Sequence, residues 1–186
     1  DALHLLGVVL TQHGRAEDAL PLLRRAITAG GERPAFLSSL GIAHRGLGEH
    51  EAAIGAYRRA IAADSEHAES WINLGNSLAE TDMPEEAAEA YERGLAIKPG
   101  SANGWTALGS TRLILGKTED ALSAFDRALS IDPDHVDAMR RLADHWLDRG
   151  KVEDAIETYR DACATAPQIA TLHDRLGVAL QMAGRT

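Results

Sequence analysis

A pattern that returns every 34 residues is the strongest constraint on how this chain can fold. Its marker is a leucine followed by glycine, or once by alanine, and no insertion or deletion disturbs the interval. The markers are Leu6-Gly7, Leu40-Gly41, Leu74-Gly75, Leu108-Gly109, Leu142-Ala143 and Leu176-Gly177. Self-similarity at a period of about 20–50 residues is typical of an array of stacked helical or mixed units.

Each period contains two apolar stripes with helical spacing. In the third repeat the first stripe holds Trp71, Leu74 and Leu78, and the second holds Ala87 and Tyr91. Residues at this spacing line one face of a helix, so each repeat predicts two antiparallel helices. Between the stripes lies a residue that is suited to ending a helix, namely Gly14, Gly48, Asp82, Gly116, Gly150 or Gly184. At the single aspartate, the segment 82–85 predicts the start of the following helix instead.

The second stripe adds further recurring positions. In the first five repeats an alanine lies twelve residues after the second marker residue, a large apolar residue four further on and a tiny residue three beyond that, as in Ala87, Tyr91 and Gly94. Together with the leucine-glycine marker, this order resembles the tetratricopeptide repeat. The resemblance implies an all-α, right-handed superhelical solenoid of antiparallel helix pairs, a single array over residues 1–186. Its repeats are 1–33, 34–67, 68–101, 102–135 and 136–169, with a partial repeat at 170–186.

The recurring positions also predict how the helices pack. The equivalents of Gly94 in the other repeats are Ala26, Ala60, Ala128 and Ala162. Because those repeats hold a methyl group at this place, we expect room for one at Gly94, and Gly94→Ala is expected to stabilise the chain. Trp71 and Trp105 lie one period apart on first helices, so we expect both to be largely buried between neighbouring hairpins.

Composition and charge exclude several classes of function. The formal net charge is −9, which argues against binding nucleic acid through its phosphates. The longest apolar run, Leu5–Leu10, is far shorter than the roughly 20 residues that a membrane-spanning helix needs. Cys163 is the one cysteine, so no internal disulfide is expected, and its apolar equivalents predict a buried thiol. We expect a cytoplasmic protein; because Asp1 lies within a helix pattern, any signal peptide would precede it.

Two motifs that suggest small-ligand chemistry are accounted for by the repeat. Gly116-Lys117-Thr118 resembles the end of a phosphate-binding loop, but Thr111 stands where such a loop needs glycine. Asp132–Asp137 resembles a cation loop but lacks the glycine and final glutamate of a calcium site, and it aligns with the linker at 64–69. The histidines show no metal-ligand spacing. We therefore expect no catalytic residue, no metal and no cofactor.

Positions on the first helices that the repeat leaves free predict the binding surface. The candidates are Ser38, Ile42, Arg45, Glu69, Ile72, Asn73, Asn76, Asn103, Thr106, Ser110, Arg140, Arg141 and Asp144. Their small polar and aliphatic side chains suit an extended peptide or a partner helix in the concave groove. Chaperone-binding members of the family clamp a terminal carboxylate with lysine and asparagine, but here Ile72 replaces the lysine beside Asn76. Sugar transferases of the family carry an asparagine ladder, of which this chain has Asn73 alone.

The charged side chains leave two alternatives open. Arg140, Arg141 and Arg175 either form a basic site for an acidic ligand or pair locally with nearby aspartates. Residues 68–101 carry seven acidic side chains against two basic ones. These acids either belong to a solvated convex face or form an acidic docking patch.

The sequence favours a non-catalytic scaffold that binds a protein or peptide, with neither nucleic acid nor membrane insertion. Residues 1–8 resemble the first repeats of bacterial proteins that fuse such arrays to glycosyltransferase or sulfotransferase domains, which implies a substrate-recruiting arm as an alternative. A third hypothesis is self-assembly. Leu172, Leu176 and Leu180 form an apolar stripe with no second helix after it, so association through the terminal repeats is expected.

Overall fold

The computed structural model describes residues 1–185, and these residues form eleven α-helices and no strand. The helices are α1 (Ala2–Gln12), α2 (Ala16–Gly30), α3 (Pro34–Gly46), α4 (His50–Ala63), α5 (Ala68–Glu80), α6 (Pro84–Ile97), α7 (Ala102–Ile114), α8 (Thr118–Ile131), α9 (Val136–Asp148), α10 (Val152–Thr165) and α11 (Ala170–Met182). Odd-numbered helices carry the first apolar stripe and even-numbered helices carry the second. The predicted alternation of two helices per period is therefore confirmed.

The chain divides into two compact units, Asp1–Pro99 and Gly100–Thr186. Unit 1 holds α1–α6 and unit 2 holds α7–α11. Within unit 1 the first helices α1, α3 and α5 contact one another in a row, and within unit 2 α7 contacts α9. We call the surface of α1, α3 and α5 the first-helix face of unit 1, and that of α7, α9 and α11 the first-helix face of unit 2.

Six helix ends share one backbone geometry. Gly14, Gly48, Gly116, Gly150 and Gly184 have φ between 69° and 74°, and Asp82 has φ 59°. After each of them, the next backbone N–H donates to a carbonyl five residues back, as from Lys117 to Arg112 at 2.8 Å. This left-handed closure of a helix is why glycine recurs there, and the glycine prediction is confirmed. The segment 82–85 starts a helix as predicted, because α6 begins at Pro84. Asp82 itself takes the left-handed conformation, which aspartate tolerates better than most residues.

The core of each pair is a large side chain of the second helix packed on the marker residue of the first. The side chains of Tyr57 and Phe125 are 0% exposed. A Cβ atom built on Gly41 would lie 2.5 Å from Cε1 of Tyr57, and one built on Gly109 would lie 2.6 Å from Cε1 of Phe125. A methyl group at either of these two markers would force the ring to shift, because the ring occupies the space that it would take.

The expected room for a methyl group at Gly94 is absent. A Cβ atom there would lie 2.8 Å from Cγ1 of Ile72 and 3.1 Å from the carbonyl oxygen of Ala68. The residue at the place of Ile72 in the preceding repeat is the smaller Ser38. In the third repeat Ile72 occupies the space that a methyl group on Gly94 would need.

The two tryptophans are enclosed only in part. Trp71 and Trp105 are both half-buried. The indole N–H of Trp71 donates to the carbonyl oxygen of Ser65 at 2.9 Å. Because Ser65 lies in the exposed linker before α5, this hydrogen bond holds one edge of the ring at the surface.

Candidate functional site

The predicted site residues of unit 1 do not share one environment. Those that reach the surface of α3 and α5 are Ile42, Arg45, Glu69, Asn73 and Asn76. Ser38 is 3% exposed, and its hydroxyl has no hydrogen-bond partner within residues 1–185. Ile72 is half-buried and packs against Gly94. Ser38 therefore packs inside the unit, which corrects its assignment to the binding surface.

The predicted hydroxyl groups of unit 2 are satisfied by their own helix. Thr106 is 3% exposed and donates to the carbonyl oxygen of Ala102 at 2.9 Å. Ser110 is half-buried and donates to the carbonyl oxygen of Thr106 at 3.0 Å. Asn103 is exposed, and its Oδ1 lies 2.8 Å from Nε2 of His135. Thr106 is therefore buried, which corrects its assignment to the binding surface. Asn103 is accessible at the start of α7.

The arginines of unit 2 are paired with aspartates. Arg140 lies 2.5 Å from Asp137 and 3.1 Å from Asp144. Arg141 is 3.7 Å from Asp137, and Arg175 is 3.8 Å from Asp144. These separations support local pairing over a basic site for an acidic ligand, most clearly for Arg140. Partly exposed pairs of this kind contribute little to stability, so their main effect is to balance charge on this face.

Buried tyrosines of the second helices reach the first-helix faces through their hydroxyl groups, a feature that the sequence reasoning missed. The hydroxyl of Tyr91 donates to Oδ1 of Asn76 at 2.8 Å, and that of Tyr159 donates to Oδ1 of Asp144. Burial raises the pKa of both tyrosines, so both stay protonated donors at neutral pH. The signal in the sequence is a core tyrosine with a polar residue fifteen positions earlier, directly after the marker.

Glu80, at the end of α5, was also missed by the sequence reasoning. Its carboxylate lies 3.9 Å from the guanidinium of Arg45. It also lies 3.2 Å from Nδ1 of His50, although this contact lacks hydrogen-bond geometry. Glu80 therefore places a negative charge beside the positive charge of Arg45 on the first-helix face of unit 1.

Two clefts open in unit 1 among the second helices. One, of about 520 Å³, lies between α2 and α4 and is lined in part by Arg24 and Arg59. The other, of about 360 Å³, lies between α4 and α6 and is lined in part by Trp71. An ion pair between Arg58 and Glu86, at 3.1 Å, borders the second cleft. The second-helix side is therefore the alternative to the first-helix face for binding a partner.

The described residues hold few groups with reactive chemistry. Within residues 1–185, no three or more histidines, cysteines, aspartates or glutamates are grouped so that they could hold a metal ion. Cys163 is 8% exposed, and burial raises the pKa of its thiol, which disfavours the nucleophilic thiolate. No helix in the described part of the chain has the length and apolar character to cross a bilayer.

Comparison with known proteins identifies the family. A model of the tetratricopeptide repeat matches residues 38–102 and 106–168, and a second model of the same repeat matches residues 1–29. The chain belongs to the tetratricopeptide repeat family. Tetratricopeptide repeat proteins are generally non-catalytic scaffolds. Among curated proteins, none matches this chain.

Solved structures share the tetratricopeptide repeat solenoid. MamA is 25% identical, with 83% of this chain and 84% of that chain covered and a TM-score of 0.73. PilF of Pseudomonas aeruginosa is 23% identical, with 98% and 89% covered and a TM-score of 0.85. YrrB is 19% identical, with 92% and 89% covered and a TM-score of 0.72. These similarities confirm the predicted all-α solenoid fold.

Proposed function

We propose that the chain is a non-catalytic scaffold that binds an extended peptide or a partner helix on its first-helix faces. The observation that supports this most directly is the surface formed by α3 and α5 in unit 1. On these two neighbouring helices the polar side chains of Arg45, Asn73 and Asn76 are partly accessible, and Ile42 is 38% exposed. Hydrogen-bonding groups next to accessible apolar surface suit a peptide that offers both backbone groups and side chains.

A related structure supports the same proposal. YrrB is described as a tetratricopeptide repeat protein with an unusual peptide-binding site. Its fold is shared by this chain over 92% of the length. Recruiting a substrate for an attached enzyme domain would use the same faces, and no contact in the described residues favours that role over a scaffold.

Binding measurements on matched variants test which side of unit 1 is used. Peptides selected from a random decapeptide display library on the immobilised chain serve as probes. The first-helix variant carries Arg45→Ala and Asn73→Ala, and the second-helix variant carries Glu85→Lys, Glu86→Lys and Glu89→Lys. We expect the first variant to bind the peptides about tenfold more weakly, because loss of two polar contacts at an interface commonly has this effect. We expect the second variant to retain affinity within about twofold at 0.15 M salt, where exposed charges are screened.

The reverse ranking would place the binding site in the clefts among the second helices. Thermal melting of each variant is the control, since surface substitutions change stability by only about 0.5 kcal/mol. If no selected peptide binds the chain with a saturable isotherm, the peptide-binding proposal is wrong.

We also propose that the chain associates with itself through its terminal repeats. Leu6 on α1 is 50% exposed, whereas its equivalents Leu40 and Leu74 are 6% and 5% exposed. Val9 on the same helix is 47% exposed. On α11 the predicted apolar stripe is wrong in part, because Leu172 is 0% exposed and Leu176 and Leu180 are half-buried in the core. Met182 at the end of that helix is 57% exposed. Apolar surface of this kind at both ends of the described chain suits contact between copies.

Light scattering over a wide range of protein concentration tests the association. We expect the average mass of the native chain to rise with concentration. Leu6→Lys with Val9→Lys is expected to suppress that rise, because both charges would have to be desolvated in the contact. Ile114→Lys is the matched control, since Ile114 is 70% exposed and lies in neither terminal helix. A constant monomer mass, or equal suppression by the control, contradicts the proposal.

A further inference from the structure

The buried tyrosines of the second helices differ in one respect. Tyr91 and Tyr159 donate their hydroxyl hydrogens to Asn76 and Asp144 on the first helices. Tyr57 occupies the equivalent position in the second repeat and is 0% exposed. Its hydroxyl has no hydrogen-bond partner among residues 1–185. Buried hydroxyl groups nearly always have a partner, so this one needs an explanation.

The hydroxyl lacks a partner because the residue at the acceptor position on the first helix is apolar. Ile42 stands where the acceptor of Tyr91 and Tyr159 would be, directly after the marker glycine Gly41. A Cβ atom built on Gly41 would lie 2.8 Å from Cζ of Tyr57, so the hydroxyl end of the ring passes close to the backbone of α3. The repeat thus delivers a hydrogen-bond donor to the first-helix face of unit 1 and provides no acceptor for it.

Two opposite charges, one on each of the first helices α3 and α5, act on that hydroxyl. Burial raises the pKa of Tyr57, while Arg45 on α3 lowers it and Glu80 on α5 raises it. Arg45 and Glu80 lie 3.9 Å apart on these two helices. The same two groups act in the same directions on the pKa of Tyr91 in the next repeat. The two charges cancel, so the surroundings of Tyr57 favour an uncharged group over an acidic one.

The other groups at this place supply what a peptide would contact. Ile42 offers exposed apolar surface, 38% of its maximum. Asn76 accepts from Tyr91 through Oδ1, which leaves both N–H bonds of its amide available as donors. Glu80, which is half exposed, can accept an N–H bond. These donors and this acceptor could bind the C=O and N–H of one peptide group, and the apolar side chain could contact an aliphatic side chain next to it.

We propose that the first-helix face of unit 1 binds an uncharged extended peptide segment, one of whose carbonyl oxygens accepts the hydrogen bond of the Tyr57 hydroxyl. Glu80 accepts from a peptide N–H, and an aliphatic side chain of the ligand covers Ile42. This inference rests on the proposed peptide-binding function and identifies the subsite. The hydroxyl is closed to solvent in the described structure, so a groove side chain moves aside on binding. Arg45 is suited to this movement, because its contact with Glu80 is 3.9 Å long.

The test uses a substitution with opposite expected effects on stability and on binding. Tyr57→Phe removes a buried donor that has no partner, so we expect the melting temperature to rise by about 2–4 °C. The same substitution removes the hydrogen bond to the ligand, so we expect about 5- to 10-fold weaker binding. A purely structural tyrosine would not give this combination. Tyr159→Phe is the matched control in unit 2, where loss of the bond to Asp144 is expected to lower the melting temperature and leave peptide affinity in unit 1 unchanged.

A second variant tests the same donor without removing it. Ile42→Asn places an acceptor where Asn76 serves Tyr91, so Tyr57 acquires an internal partner. We expect a higher melting temperature together with weaker peptide binding.

The probes are N-acetylated, C-amidated pentapeptides titrated into the ¹⁵N-labelled full chain and followed by NMR. One has the sequence Ala-Leu-Gln-Leu-Ala, and its counterpart has glutamate in place of glutamine. We expect the neutral peptide to shift the signals of Ile42, Asn76 and Glu80, with weaker binding to Tyr57→Phe. Unchanged affinity for Tyr57→Phe, or a lower melting temperature, overturns this inference and leaves the general proposal standing. Tighter binding of the glutamate peptide overturns the uncharged ligand class, and no shifts on either first-helix face overturn both proposals.

Discussion

Phe125→Ala is expected to lower the free energy of unfolding by about 3–5 kcal/mol, the range for core aromatic truncations. The ring is 0% exposed and lies against the backbone of Gly109, where a built Cβ would come within 2.6 Å of Cε1. Removing it opens a cavity between α7 and α8 that the glycine cannot fill. Urea denaturation followed by circular dichroism measures the loss, and hydrogen exchange in α7 and α8 locates it.

Trp71→Ala is the comparison for that measurement. The tryptophan is larger than phenylalanine but half-buried, with its indole N–H bonded to the carbonyl oxygen of Ser65. We expect a loss of about 1–2 kcal/mol, because less apolar area leaves water on folding. If Phe125→Ala and Trp71→Ala lowered the free energy of unfolding equally, the ring packed on the marker glycine would not be the main core contact, contrary to our interpretation.

Gly94→Ala is expected to lower the free energy of unfolding by about 1–2 kcal/mol. Alanine gains about 0.5–1 kcal/mol over glycine within a helix. Forcing a methyl group into a filled space costs about 1–3 kcal/mol. The second term prevails because the new Cβ would lie 2.8 Å from Cγ1 of Ile72 and 3.1 Å from a backbone oxygen of α5, neither of which is a flexible end. Urea denaturation gives the sign directly.

A rescue experiment shows whether Ile72 is the cause. Gly94→Ala combined with Ile72→Ser copies the residues at the same two places in the preceding repeat, Ala60 and Ser38. We expect the second substitution to cost less in the Gly94→Ala background than alone, a coupling of about 0.5–3 kcal/mol. Strict additivity of the two changes would show that the methyl group meets some other obstacle.

The architecture of the repeat was predictable from the residue pattern alone. The spacing of Leu74, Leu78 and Tyr91 predicted the two helices of the third pair, and they are α5 and α6. The glycine between the stripes predicted the helix ends, and Gly14 and Gly116 do take left-handed conformations. These features were readable because helix periodicity and helix termination depend on residues within a few positions of one another, and the 34-residue period repeats that local information through the chain.

The tertiary structure alone decided the details of packing and of the candidate site. Ser38, predicted on the surface, is buried, and Gly94, predicted to have room, is filled by Ile72. That the Tyr57 hydroxyl is buried and has no partner within residues 1–185 is shown only by the structure. Each outcome depends on distances between atoms of different helices, where a few tenths of an ångström separate a contact from a clash. Helical periodicity assigns a residue to a face of its own helix, but it does not determine the size or polarity of the group opposite.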